Sequence, residues 1–294
     1  MRLWRLPSTE TSLCSTSTVG NHSGFIGRRL VSLILSSLVV LPVEQSFANS
    51  VGNPSPPGNE VHVGPGDDLI DSINKASPGS VICIDEGEYT IDKTLEIQKP
   101  ITVRGASMQT TILSLSTETP YHPVFHIAST SGVTLQDMTI RHRSPSVANN
   151  YALYLDNASD STLCNLDISS STGTGISIEG IQSGTIRIQN CTIHDCARNG
   201  LGLFPSIEDA AAFQTEIVVK GTRIERNKGH GIVAKGIHDK ITIMDDCEVH
   251  FNRLFGLQVS DSDDIFLASE DILSKNSSGA ISVEDEYSRI QKPM

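Results

Sequence analysis

The chain has 294 residues, enough for one large domain, and only 19% of them are charged and 5% aromatic. Abundant Ser, Thr, Ile and Gly suit β-structure with many turns better than a helical bundle. The net charge of −12 argues against nucleic acid or an anionic membrane surface as a partner.

Residues 1–27 hold nine Ser or Thr and a single acid, Glu10. Arg28-Arg29 and the apolar run Leu30 to Val43 follow, and Ser46-Phe47-Ala48 closes the segment with small residues where signal peptidases cut. The apolar run has 14 residues, too short for a comfortable span, so no integral membrane span is expected in the mature chain. The order resembles a bipartite thylakoid-lumen presequence with a twin-Arg signal, covering 1–48. The alternative is a secretory or periplasmic export signal. Its removal takes away Arg2, Arg5, Arg28, Arg29, Glu10 and Glu44, so 22 basic and 34 acidic residues become 18 and 32, a net of −14.

Pro54, Pro56 and Pro57 mark 49–59 as a linker. Val61-His62-Val63 predicts a first strand. Asp67 or Asp68 is expected to cap a short helix from Leu69 to Ala76, ended by Pro78-Gly79. Val81 to Ile84, Thr94 to Ile97, Ile101 to Val103 and Thr111 to Leu113 predict the next strands, and Thr117 to Phe125 a loop. From Val133 onward apolar residues alternate more cleanly.

A repeated phrase then dominates the chain. Cys191-Thr192-Ile193-His194-Asp195-Cys196 is followed by Gly200-Leu201. It returns at Thr222 to Asn227 with Gly231-Ile232, at Cys247 to Asn252 with Gly256-Leu257, and, worn, at Asp271 to Asn276 with Gly279-Ala280. The markers Cys196, Asn227, Asn252 and Asn276 are 31, 25 and 24 apart, and Ser171 with Gly175-Ile176 extends the series backwards by 25. Pro205 to Phe213 is an insertion that accounts for the longer spacing. Two short strands and a turn in about 25 residues leave no room for a crossover helix, so each copy must close as one coil of a stack. The glycines fit corners with positive φ, and the Asn column fits amides hydrogen-bonded along the axis.

This phrase resembles the right-handed parallel β-helix repeat of pectate-lyase-like proteins, over roughly Glu60 to Val283. The opening strand and helix resemble the N-terminal cap of pectinesterase-like β-helices. The resemblance implies an all-β, right-handed parallel β-helix of about eight coils with a short N-terminal capping helix over 60–283, then an acidic, polar tail at 284–294. It implies little about activity, because the fold carries many functions.

Five cysteines survive presequence removal, so a complete disulfide framework is excluded. Cys191 and Cys247 share one inward position and are expected as core residues. A Cys191–Cys196 bridge is open in an oxidising compartment. No CxxC is present, and a zinc site has no support in the sequence.

Aligned copies stack outward residues about 4.8 Å apart. One column reads Arg141, Ser169, His194, Glu225, His250, Ser274; its neighbour reads Thr139, Asp167, Thr192, Arg223, Glu248. His194, Glu225 and His250, with Arg223 beside them, are the candidate catalytic residues: two imidazoles around a carboxylate move a proton or hold a metal, and Arg223 holds a sugar carboxylate. The plainer reading is a solvated face of stacked opposite charges. Gly229-His230-Gly231 and Asp245-Asp246 echo polygalacturonase motifs in the wrong order, and pectinesterase and alginate-epimerase motifs are not recognisable. Two functions stay open: a non-catalytic binding or assembly scaffold in an exported compartment, with a protein complex or carbohydrate polymer as partner, or a polysaccharide lyase or epimerase acting on a uronate polymer. The resemblance adds Ca2+ as cofactor only if the chain is a lyase.

Overall fold

The computed structural model describes residues 59–292, apart from 118, 120, 145–149, 181–183, 205–214, 237–239 and 263. The presequence, nearly all of the linker and the 205–213 insertion therefore lie outside the described residues. Every named strand pairs parallel with the strand one coil away, and the strands line three faces. The first face starts with Glu60–Val63 and Val81–Ile84 and ends with Ile265–Leu267 and Ile290–Gln291. The second holds Thr111–Ser116, Thr192–His194, Arg223–Glu225 and Glu248–His250. The long strands Thr134–Arg143 and Thr162–Ser170 run through both, joining them into one 15-stranded sheet. The third face is a separate eight-stranded sheet from Leu95–Ile97 to Gly279–Val283, so the expected architecture of about eight coils holds.

Alternation does what it must in such a stack. Ile168, Ile193, Ile224 and Val249 pair in register and are completely buried, while their neighbours point outward. Leu69–Lys75 forms the single α-helix among the described residues, one residue shorter than expected. Asp68 caps it by accepting from the Asp71 amide, and Leu69 and Ile73 bury its inner face. That covers the open end of the first coil.

The repeat markers form a hydrogen-bonded ladder inside the stack. Asn227 Nδ2 donates to Asn252 Oδ1 at 2.9 Å, and Asn252 Nδ2 donates to Asn276 Oδ1 at 2.9 Å. The backbone amides of Cys196, Asn227 and Asn252 donate to the side-chain oxygen one coil on. The glycines are explained differently from the sequence expectation. Positive φ falls on the residue before each marker, at Asp195, Arg226, Phe251 and Lys275 (51°, 55°, 56° and 58°), and not on Gly175, Gly200, Gly231 or Gly256. Those glycines are needed for close approach: a Cβ at Gly231 would lie 2.3 Å from Val249 Cγ1 and 2.7 Å from the Gly256 carbonyl. Gly231→Ala should cost about 2 kcal/mol through overpacking, seen as a lowered midpoint in chemical denaturation. An unchanged midpoint would show that the coils can move apart.

Two register details also differ. In the Thr162–Ser170 strand the left-handed residue is Asn165 and none stands just before the marker, so Ser170 occupies the buried marker position and Ser171 is exposed. In the fourth copy Glu270–Leu273 is a 3-10 turn, and Ala280 rather than Gly279 aligns with Gly256. Cys191, Cys196 and Cys247 behave as core residues. Cys191 and Cys247 lie in one buried column with Thr222, all five described cysteines are free, and no Cys191–Cys196 bridge forms. Burial pushes the Cys191 and Cys196 thiols up to about 12, which keeps them unreactive.

Candidate functional site

The register places both outward columns of the second face as the repeat predicts. His194 is opposite Glu225 and Glu225 opposite His250; Asp167, Thr192, Arg223 and Glu248 follow one another alongside. The side chains then pair in a pattern that the columns alone do not reveal. Arg223 Nε donates to Glu248 Oε2 at 2.7 Å. His250 Nε2 meets Glu225 Oε2 at 2.9 Å, and Glu225 also takes Arg226 Nη1. His194 turns away from Glu225: its Nε2 lies 3.2 Å from both oxygens of Asp167, and its Nδ1 lies 2.7 Å from Asp195 Oδ2.

Arg226 is a participant that sequence reasoning missed. Asp195 and Arg226 are the left-handed corner residues of successive coils, so their side chains stack and pair at 3.1 Å. The next two corner residues do the same, with Lys275 Nζ 5.6 Å from the Phe251 ring centroid. Their place just before each marker was visible; their outward aim was not, because it depends on φ.

Electrostatics follow from these contacts. The hydrogen bond to Asp167 raises the His194 pKa, burial opposes it, and Asp195 raises it further. Burial works to raise the Asp195 and Glu225 carboxyls, but hydrogen bonds from Arg226 and the histidines more than offset it, so both pKa values are lowered. His194 thus contributes stability that is complete below its unfolded pKa of about 6.5 and lost as pH rises through its higher folded value. The two carboxylates contribute stability that is complete above about pH 4.5 and lost in acid. Unfolding free energy should therefore fall as pH rises from about 6.5 through the raised folded pKa of His194, and His194→Gln should remove that fall. An identical fall in His194→Gln would place the titration elsewhere.

Two basic groups of this face, Arg141 and the exposed Arg143, have no side-chain partner among the described residues. Arg141 is half-buried and has no hydrogen bond or ion pair among the described residues. It lines an open groove of about 420 Å3 with Met108, Gln109, Ile112, Thr139, Asp167 and Thr192. The groove's rim is the Ser107–Thr110 turn, closed by Ser107 Oγ accepting from the Thr110 amide and pinned where Thr139 Oγ1 donates to the Met108 carbonyl at 2.5 Å. Arg141 was in the predicted column; it shares the lack of a partner with Arg143, and its place in the groove distinguishes it.

The face does not suit Ca2+, which takes six to eight oxygen ligands. Its carboxylates Asp167, Asp195, Glu225 and Glu248 each face a cation, and no oxygen cage forms among them.

A model of the right-handed β-helix region matches residues 123–291. Comparison with curated proteins finds no match. Among solved structures, a pectate lyase is similar at 14% identity and TM-score 0.48, covering 80% of this chain and 79% of its own. The A-module of a mannuronan C-5 epimerase from Azotobacter vinelandii has 12% identity and TM-score 0.44, covering 76% and 84%. A pectin methylesterase from Aspergillus niger has 10% identity and TM-score 0.47, covering 82% and 87%. At these identities the likeness concerns the fold alone.

Proposed function

The chain belongs to the right-handed β-helix family, and from that premise we propose that it is an exported scaffold whose second face binds an acidic carbohydrate polymer without cleaving it. One observation carries the reading: Arg141 has no partner in the groove among the described residues, while Arg223, Arg226, His194 and His250 are already held by carboxylates. A guanidinium with free donors takes a carboxylate in two parallel hydrogen bonds. Around it, Gln109 and Thr192 offer polar groups to sugar hydroxyls, and Met108 and Ile112 give an apolar wall.

Abstracting a sugar proton needs an unprotonated base with a free lone pair. His194 has both ring nitrogens against carboxylates and a raised pKa, so it favours the protonated form. Arg223 is tied to Glu248. The lyase or epimerase reading would have to break these pairs first.

The test is calorimetric titration with oligogalacturonate, oligoalginate and a neutral glucan, alongside ultraviolet detection of unsaturated product. Saturable binding of the acidic oligomers alone, with no product, is expected. Turnover that disappears in His194→Ala or Arg223→Ala would replace the scaffold with a lyase. Residues 1–48 are proposed as the presequence that delivers the chain to the thylakoid lumen or another exported compartment. Cytosolic fluorescence of a fusion of residues 1–60 would reject that delivery. No helix among the described residues is long and apolar enough to cross a membrane.

A further inference from the structure

We propose that Glu60, His62 and Cys83 form a binding site for a zinc-class divalent cation that staples the first strand of the solenoid to the second. Glu60 and His62 are two residues apart on the strand Glu60–Val63, so both side chains leave the same side of the sheet. His62 is paired with Cys83 in the next coil, and Glu60 with Val81. This parallel register brings one carboxylate oxygen, one imidazole nitrogen and the Cys83 sulfur within 4.8 Å of one another. No local spacing announces the triad, because its third member comes from the neighbouring coil.

Three features make this a cation site and select the kind of cation. First, the thiol already has a positive group against it: Arg104 Nη2 lies 3.2 Å from Cys83 Sγ and 3.5 Å from Glu60 Oε1. A guanidinium nitrogen therefore stands where a metal would share the same two donors. Second, the donor set is one sulfur, one nitrogen and one oxygen. Zinc-class ions take that mixture in tetrahedral geometry, whereas Ca2+ and Mg2+ require oxygens. Third, His62 Nδ1 lies 3.5 Å from Asp85 Oδ1. An outer carboxylate on one ring nitrogen is the usual way an imidazole is oriented to ligate through the other.

Tetrahedral ligation at about 2.0–2.3 Å needs ligand atoms roughly 3.5 Å apart. The exposed Glu60 and His62 side chains are free to close that gap, and Arg104, which is also exposed, can swing into solvent. Binding converts the Cys83 thiol to thiolate and releases its proton to solvent. Three protein donors leave the fourth position to water. The mechanical result is a clamp across an edge strand that, among the described residues, otherwise has a neighbour on one side only.

The test is titration of the full chain, reduced and metal-free, with Co2+ and then Zn2+. One equivalent of Co2+ should give a thiolate-to-metal charge-transfer band and tetrahedral visible bands, both bleached by Zn2+. Zn2+ should raise the melting temperature, slow amide exchange over Glu60–Val63 and protect Cys83 from alkylation. Cys83→Ser and His62→Ala should abolish the band, Cys164→Ser should keep it, and Arg104→Met should tighten binding. A folded wild-type chain without the band, or a band surviving in Cys83→Ser, overturns the site. If Cys83→Ser does not fold, unchanged alkylation of wild-type Cys83 in excess Zn2+ overturns it equally.

Discussion

Asn252→Ala is expected to destabilise the protein by about 4 kcal/mol, measured as a shift in the denaturation midpoint at constant slope. Asn252 is fully buried in the middle of the ladder. Its Oδ1 accepts from both the backbone amide and the side-chain amide of Asn227, and its Nδ2 donates to Asn276 Oδ1 and to the Ile224 carbonyl. Truncation leaves two donors of Asn227, its backbone amide and one side-chain N–H, without partners and without water. Each such buried group costs about 1–3 kcal/mol, so the sum exceeds what any single contact would suggest. Asn252→Asp separates hydrogen bonding from size: it keeps the acceptor but turns an acceptor toward Asn276 Oδ1 and the Ile224 carbonyl, and it buries a charge. It should be no better than alanine. A loss below about 1 kcal/mol for Asn252→Ala would mean that water replaces the amide and that the ladder is not what binds the coils.

The ladder also explains which parts of the fold the sequence disclosed. Inward residues such as Ile193, Ile224 and Val249 were legible because burial on one side of a strand imposes period two whatever the neighbouring coil does. The corner was not. Arg226, Phe251 and Lys275 have no intrinsic preference for positive φ, and nothing local predicts it. Arg226 and Phe251 adopt it because the amide of the next residue must meet an Asn oxygen one coil away, as the Asn227 and Asn252 amides do. The same corner pushes the glycines against the following coil, so their need is for space rather than for φ. In the earlier coil that lacks the corner residue, the marker slides back from Ser171 to Ser170.

The candidate site divides along the same line. The columns follow from strand register, which the repeat encodes, so His194, Glu225 and His250 sit where alignment puts them. Pairing between columns depends on side-chain direction. Asp167 reaches diagonally to His194, and Arg226 enters from the corner. A face that looked like a cluster of available bases is therefore largely self-neutralised, and Arg141, which lines the groove without a carboxylate partner among the described residues, has no mark of its own in sequence.

Arg141→Ala is expected to weaken binding of acidic oligosaccharides by roughly 60-fold, about 2.5 kcal/mol, the range for a charge-assisted hydrogen bond lost from a groove. Thermal stability should hardly change, because Arg141 has no partner among the described residues to abandon. Arg141→Lys should recover only part of the affinity, since a point charge on a flexible stem cannot make two parallel bonds to a carboxylate. Arg223→Ala is the internal comparison. Its guanidinium is committed to Glu248 and both side chains are half exposed, so its removal should change affinity less than about threefold. Calorimetric titration of the three variants separates the possibilities. If Arg223→Ala loses as much affinity as Arg141→Ala, ligand binding must break the Arg223–Glu248 pair, and the ion-pair stack itself becomes the binding surface. If Arg141→Ala binds like wild type, the unpartnered guanidinium has no role in recognition, and the observation on which the scaffold reading rests no longer supports it.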